Sequence, residues 1–275
     1  MSSSIESRGP IATIAAVLLA AHTSVVPVLV QNRPAVGVRI DDVVIAMRDG
    51  TKLSADVWLP ADTGRYPVLI TRSPYPRSAG KAAYRAKPGL VERFVREGFA
   101  VVVQDTRGRG DSDGDFGYHF QEGPDGYDTV EWAAKQRWSN GRIGMFGNSY
   151  MGITQVLAIR EGPRQLECAM PAGMPGRHVI EQNPSVGGAW TMEWALSWLA
   201  QTAQGENDRR SLTDIDPNIR SKIDWEKVFQ HRPLLTMDEV LGRRTPMYRE
   251  WMSHPTFDEY WKRDAVEPEH YRRMR

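Results

Sequence analysis

The sequence predicts an α/β fold: a mostly parallel sheet with helices on both faces, giving way to a helical section towards the C-terminus. Three observations carry this reading. Between residues 66 and 173, apolar strand-like runs alternate with helix-like runs, as in strands joined by crossover helices. Ahead of that stretch, an Asp-Gly pair between two extended runs marks a hairpin. Beyond about Val179 the strand signal disappears and only helix-like pieces follow.

The elements can be justified in order. Residues 1–36 stand apart, because "IATIAAVLLAA" is apolar, follows a short polar start, and is by itself short for a membrane span, the apolar stretch on to Val30 being interrupted by His22 and Pro27. The segment is expected to be an export signal, with an uncleaved anchor or an ordinary extension as alternatives. It lacks a clean A-x-A cleavage site, and Glu6 offsets Arg8. In "VRIDDVVIAMRDGTKLSADVWLP" two strands flank Arg48 to Thr51, and Leu53, Ala55, Val57 and Leu59 alternate with the period of a half-buried strand. "YPVLITR" reads as a strand, "GLVERFVREGF" as a helix and "AVVVQDTRG" as a buried strand. "DGYDTVEWAAKQ" is a helix, "RIGMFG" a strand, "SYMGITQVLAIR" a helix and "LECAMPAG" a strand. Later, Trp190, Trp194 and Trp198 recur every four residues, one face of a helix. Core packing is the plainer reading of that stripe and pocket lining the sharper one. Helix-like pieces then include "IRSKIDWEKVFQH" and "TMDEVLGRR".

Composition narrows the function classes. The 275 residues carry 35 basic and 34 acidic side chains for a net charge of +1, without the electrostatic footprint of a nucleic-acid binder. No nucleic-acid partner is expected. A single cysteine, Cys168, cannot form an internal disulfide and is expected to be a buried strand residue.

The chemistry is concentrated in "NGRIGMFGNSYMGITQVLA", Asn140 to Ala158. A strand-like run meets Gly147, then Ser149, then a helix-like run. A serine hydroxyl needs an activating base and must stand clear of the sheet, and a tight strand-to-helix turn provides that exposure. Gly147 sits two residues before Ser149 as G-x-S-x-G requires, but the second glycine is displaced by one, to Gly152, with Met151 in its place. The position between a strand and a helix makes Ser149 the candidate nucleophile. A competing motif is weaker. Asp111, Asp113, Asp115 and Glu122 occupy positions 1, 3, 5 and 12 of a calcium loop, but Phe116 stands where the loop needs glycine and no helix pair flanks it. No metal or cofactor is predicted.

"GNSYMG" resembles the G-x-S-Y-x-G elbow of the cocaine esterase-like serine hydrolases, a group that includes X-prolyl dipeptidyl-peptidases and α-amino acid ester hydrolases. "MRDGTKLSADVWLP" looks like the family's opening hairpin, "TRSPYPR" like its R-x-P-Y loop, and "VVVQDTRGRGDSDG" like its D-x-R-G-x-x-x-S-x-G segment. The match runs in order from about Val38 to Ala172. It implies an α/β-hydrolase domain over residues 37–178 and an inserted helical cap over 179–275, with the sheet incomplete and its apolar edge exposed. It also implies oxyanion roles for the Tyr75 hydroxyl and for the backbone N–H of Tyr150. Asp105, Arg107 and Asp111 are expected to order the loop after their strand.

A serine nucleophile also needs a histidine and a carboxylate, which in this fold follow it in the chain. His178, His231, His254 and His270 follow Ser149, but in the family the acid and base sit after strands that resume beyond the cap, and no such strand is legible. Asp258 with His270 can be forced into the order only within polar, helix-like sequence. The expected activity is therefore hydrolysis of small-molecule esters or amides through a Ser149 acyl-enzyme, in a chain lacking the later Asp and His. A non-catalytic truncated hydrolase-fold protein is the alternative. Substrate and oligomeric state are not legible. The expected location is the periplasm or the exterior, with the cytoplasm as the alternative, and any membrane contact comes only through residues 1–36.

Overall fold

The computed structural model describes residues 37–75, 89–174, 185–186, 189–202, 219–242 and 244–272. Residues 1–36, where the export signal is expected, lie outside them, and no described helix is long and apolar enough to cross a membrane.

Six strands form one sheet: β1 (Val38–Ala46), β2 (Lys52–Leu59), β3 (Tyr66–Ser73), β4 (Ala100–Asp105), β5 (Ser139–Asn148) and β6 (Leu166–Ala172). Their order is β1-β2-β4-β3-β5-β6, with β3 to β6 mutually parallel and β1 and β2 antiparallel to their neighbours. The expected hairpin joins β1 to β2. The Met47 N–H meets the Thr51 carbonyl at 2.8 Å, and the Gly50 N–H meets that of Met47 at 2.9 Å.

Crossover helices cover both faces, and the strands show it residue by residue. Val68, Ile70, Ala100, Val102, Ile143 and Met145 point to a core shared with α2 (Glu122–Ala134) and α3 (Tyr150–Glu161). Leu69, Val101, Val103 and Phe146 point the other way, onto Val91 and Val95 of α1 (Leu90–Arg96). Central strands with two covered faces explain the apolar run from Ala100 to Val103 in β4, whose six positions are all buried. The alternation in β2 is fainter in space than in sequence, because Ser54 and Asp56 are buried as well. Asp56 is tied to Arg39 across the hairpin at 3.0 Å.

A second layer lies over α3. It comprises α4 (Met192–Thr202), α5 (Trp225–Gln230), α6 (Pro246–Ser253), α7 (Glu259–Lys262) and α8 (Pro268–Tyr271), with short 3-10 turns between them. Ile153, Val156 and Leu157 of α3 pack with Leu196, Leu199, Tyr248, Trp251 and Trp261. An apolar sequence all around a helix means burial on every side, and α3 is buried at ten consecutive positions between the sheet and this layer. The tryptophan stripe is only partly helical. Trp190 lies in a two-residue strand pair ahead of α4 and packs edge-on against Tyr248, whereas Trp194 and Trp198 stack within the helix.

Cys168 corrects an expectation. It is exposed, because β6 is an edge strand among the described residues and leaves Glu167, Cys168, Met170, Pro171 and Ala172 open to solvent. Among the described residues β6 is one of the two edges of the sheet, β1 being the other.

Candidate functional site

Ser149 sits between β5 and α3 with φ 60° and ψ −124°, one of three described non-glycine residues at positive φ. A side chain there is strained, and the surroundings must hold it. One anchor is its own N–H, bonded to the Ala172 carbonyl at the end of β6 at 2.8 Å. The flanking glycines have separate reasons. Gly147 has φ 149°, and a Cβ on it would come within 2.4 Å of Met151 Cβ. A Cβ on Gly152 would lie 2.7 Å from Met174 Cγ and 2.8 Å from the Ala172 carbonyl oxygen. The first turn of α3 thus crosses β6 backbone at residue 152, one place later than the general motif has its glycine, and Met151 in between is buried. Ser149 itself is half-buried, and its hydroxyl makes no capping bond to α3.

Topology brings Tyr75 to the same place. It follows β3, the strand hydrogen-bonded between β4 and β5, so the loops after β3 and β5 leave the carboxyl ends of adjacent parallel strands. Ligands bind at this end of open α/β sheets. The Ser73 hydroxyl pins the loop, accepting the Tyr75 N–H at 3.1 Å. The buried Tyr75 hydroxyl accepts a bond from Trp198 Nε1 at 3.3 Å. The Trp198 ring in turn lies 8° from parallel to the Tyr150 ring, 6.4 Å away. Tyr150 is the first residue of α3, so its N–H has no partner within the helix, and no described residue accepts it.

Polar side chains support the turn from beneath. The fully buried Arg72 donates from Nε to Gln104 Oε1 at 2.6 Å and from Nη1 to the Glu122 carbonyl at 2.8 Å. Arg107 grips Asp125 with two bonds, at 3.0 and 2.6 Å, and reaches Asp49 of the hairpin at 2.7 Å. These contacts hold the Arg107 guanidinium charged and the Asp49 carboxyl far below its ordinary range. Asp105 accepts the Asp111 N–H at 3.1 Å, and the Ser112 hydroxyl donates to the Asp105 carbonyl at 2.7 Å. Asp105, Arg107 and Asp111 thus order their loop, as expected. Glu122, the last position of the calcium pattern, is buried and turns its carboxyl to Arg72 and Tyr150.

Sequence comparison gives this arrangement its relatives. The profile of the X-Pro dipeptidyl-peptidase (S15) family matches residues 49–275. The chain belongs to the X-Pro dipeptidyl-peptidase (S15) family. It is similar to the cocaine esterase of Rhodococcus sp. (strain MB1 Bresler), with 34% identity over 230 residues, or 80% of this chain and 39% of the esterase. Its fold is similar to that of an aminopeptidase from the marine sediment archaeon Thaumarchaeota archaeon, with TM-score 0.64 and 20% identity over 83% of this chain and 40% of that one. It is also similar to an α-amino acid ester hydrolase, with TM-score 0.61 and 24% identity over 89% and 43%. The chain therefore spans about two fifths of the length of these relatives.

In this member of the S15 family the described histidines after Ser149 are engaged elsewhere. His231 Nε2 pairs with Thr236 Oγ1 at 2.9 Å. His254 Nδ1 pairs with Asp258 Oδ2 at 2.7 Å, and the ring stacks on Tyr260. His270 Nδ1 accepts the Glu267 N–H at 2.8 Å in a capping box. Asp258 and His270 therefore do not form the pair that sequence order allows, since each closes a turn of its own short helix. His178 lies outside the described residues. Two features escaped the sequence reading. One is the closed contact of Glu122 with Tyr150, at 2.8 Å. The other is a buried pair, His119 with Asp264, 3.5 Å apart, in which neither side chain makes a hydrogen bond among the described residues. The pairs join residues 28 and 145 positions apart, and no local pattern announces either.

Proposed function

We propose that this chain carries the nucleophile and oxyanion hole of a serine hydrolase that cleaves ester or amide bonds in small molecules. The observation that carries the reading is the backbone of Ser149, strained at φ 60° between a parallel strand and a buried helix. In the reaction, Ser149 Oγ attacks the carbonyl carbon and gives up its proton to a base. The carbonyl oxygen becomes an oxyanion, held by the Tyr75 hydroxyl and the Tyr150 N–H, the donors that the family resemblance assigns. The leaving alcohol or amine takes a proton, and water then releases the acyl group from Ser149. Donors fixed before charge develops cost no reorganisation, and one of them is worth roughly 3 kcal/mol.

The base and its orienting carboxylate lie in the part of the relatives' length that this chain does not span. The local engagement of His231, His254 and His270 supports this. Residues 37–178 form the hydrolase domain and 179–275 the cap over its site, with Trp194 and Trp198 half-buried at the junction. Residues 1–36 direct export, which N-terminal sequencing of the mature protein tests.

The decisive experiment labels the full-length protein with a fluorophosphonate and maps the adduct, while p-nitrophenyl ester turnover is compared with that of Ser149→Ala. An adduct on Ser149 and loss of turnover in the variant are expected. Unchanged turnover in Ser149→Ala would overturn the assignment. A protein that neither labels nor turns over would favour the non-catalytic reading.

A further inference from the structure

Tyr150 Oη lies 2.6 Å from the carbonyl oxygen of Tyr118 and 2.8 Å from Glu122 Oε1. Both contacts have hydrogen-bond length, yet a phenol has one proton. A carbonyl can only accept, and two oxygens at 2.6 Å with no proton between them would repel. The phenolic proton therefore belongs to the Tyr118 carbonyl. The proton in the second bond must come from Glu122.

Charged groups of both signs surround this pair: Arg72 from β3, Arg107 from the loop after β4 and Asp125 from α2 face Glu122, and Arg109 from that loop faces Tyr150. His119, paired with Asp264, tilts against the Tyr150 ring at 4.8 Å. Arg72 and Arg107 both reach the buried Asp125, at 3.8 and 2.6 Å, and Arg107 also reaches the half-exposed Asp49 at 2.7 Å. Arg72 Nη1 is 2.8 Å from Glu122 Oε2 but aims at the main-chain carbonyl, so Oε2 accepts no hydrogen bond.

We propose that Glu122 is a positioning residue, protonated in the resting protein, whose carboxyl proton bonds Tyr150 Oη so that Tyr150 clamps both the Tyr118 carbonyl and the first turn of α3. The catalytic consequence rests on the oxyanion role proposed for the Tyr150 N–H. When Glu122 ionises, the phenolic proton turns to the carboxylate, and the Tyr118 carbonyl loses its only donor from this ring. Tyr118 is held at φ 59° and stacks on His119, so its loop and the start of α3 lose a shared tie. Burial, reinforced by Asp125, pushes the Glu122 carboxyl up to about 7 against the pull of Arg72. The clamp therefore opens as pH rises through neutrality.

Infrared titration of the whole chain tests the proton directly. A neutral-carboxyl C=O stretch is expected to persist near pH 6, where ordinary carboxyls are ionised, to fade through about pH 7, and to be absent in Glu122→Gln. Identical wild-type and Glu122→Gln spectra would overturn the proposal, whatever Ser149 does. In the full-length hydrolase, Glu122→Ala is expected to lower kcat about 10- to 100-fold with KM little changed, the scale of a displaced catalytic group. Glu122→Gln, whose amide donates in place of the carboxyl, is expected to recover most of that loss and to lack the alkaline fall in kcat. An alkaline limb that persists in Glu122→Gln would also overturn the proposal. Full turnover by Ser149→Ala would instead sink the hydrolase reading and leave the infrared result standing.

Discussion

Trp198 joins the two donors assigned to the oxyanion: its Nε1 donates to Tyr75 Oη at 3.3 Å while its ring lies nearly parallel to that of Tyr150. The Tyr75 oxygen thereby accepts one hydrogen bond, from the Trp198 indole. Tyr75→Phe is expected to cost roughly 3 kcal/mol of transition-state stabilisation, seen as a 100-fold or greater fall in kcat with KM nearly constant. Trp198→Phe keeps an aromatic ring but removes the donor, and about 1 kcal/mol, a several-fold loss in kcat, is expected. Steady-state kinetics on one p-nitrophenyl ester decides both.

The backbone of Ser149 sets a second expectation. At φ 60° and ψ −124° an alanine is as strained as the serine, whereas glycine is at ease. Ser149→Gly should raise stability by about 1 kcal/mol over Ser149→Ala, measured by urea unfolding of the two variants. Equal stability would mean that the strain is relieved elsewhere.

This turn is also where the sequence was most legible. A glycine, a serine and an apolar strand-helix switch are local, and they foretold the positions of β5, Ser149 and α3. The parallel order was readable because β4 opens on four apolar residues in a row, Ala100 to Val103, a pattern that burial on both faces favours. What could not be read was whatever depends on distant partners. Cys168 was expected inside because its neighbours are apolar, but only the sheet order reveals β6 as an edge. Glu122 figured in the sequence only as the last position of a calcium pattern, and its partners Arg72 and Tyr150 are brought to it by the crossover.

Asp125 carries the largest electrostatic burden beneath the site. It is 1% exposed and accepts two bonds from Arg107, and its Oδ2 stands 3.8 Å from Arg72. Asp125→Asn would keep the shape but leave two guanidinium groups facing a neutral amide. Removing one partner of a buried charge set costs about 3–5 kcal/mol, so a fall of that size in unfolding free energy is expected. A loss under about 1 kcal/mol would show that solvent already screens the cluster.

His119 predicts a pH dependence opposite in sign to that of Glu122. Burial pushes the imidazole below its ordinary pKa, against the pull of Asp264, so the folded protein holds this ring neutral where the unfolded chain would take up a proton. The unfolded state then binds more protons, and stability rises with pH through the window below about 6.5. Glu122, raised from about 4.3 in the unfolded chain, holds its proton in the folded state, and its contribution to stability is lost as pH climbs towards 7. The two slopes partly cancel in the wild type between about pH 5 and 6.5. They separate in variants. His119→Gln should remove the rising component, leaving stability that falls with pH across this window, and Glu122→Gln should do the reverse. Urea unfolding at closely spaced pH values reads both slopes. A wild-type slope retained in His119→Gln would mean that the ring titrates as it does in the unfolded chain, and that the His119–Asp264 contact is open to water.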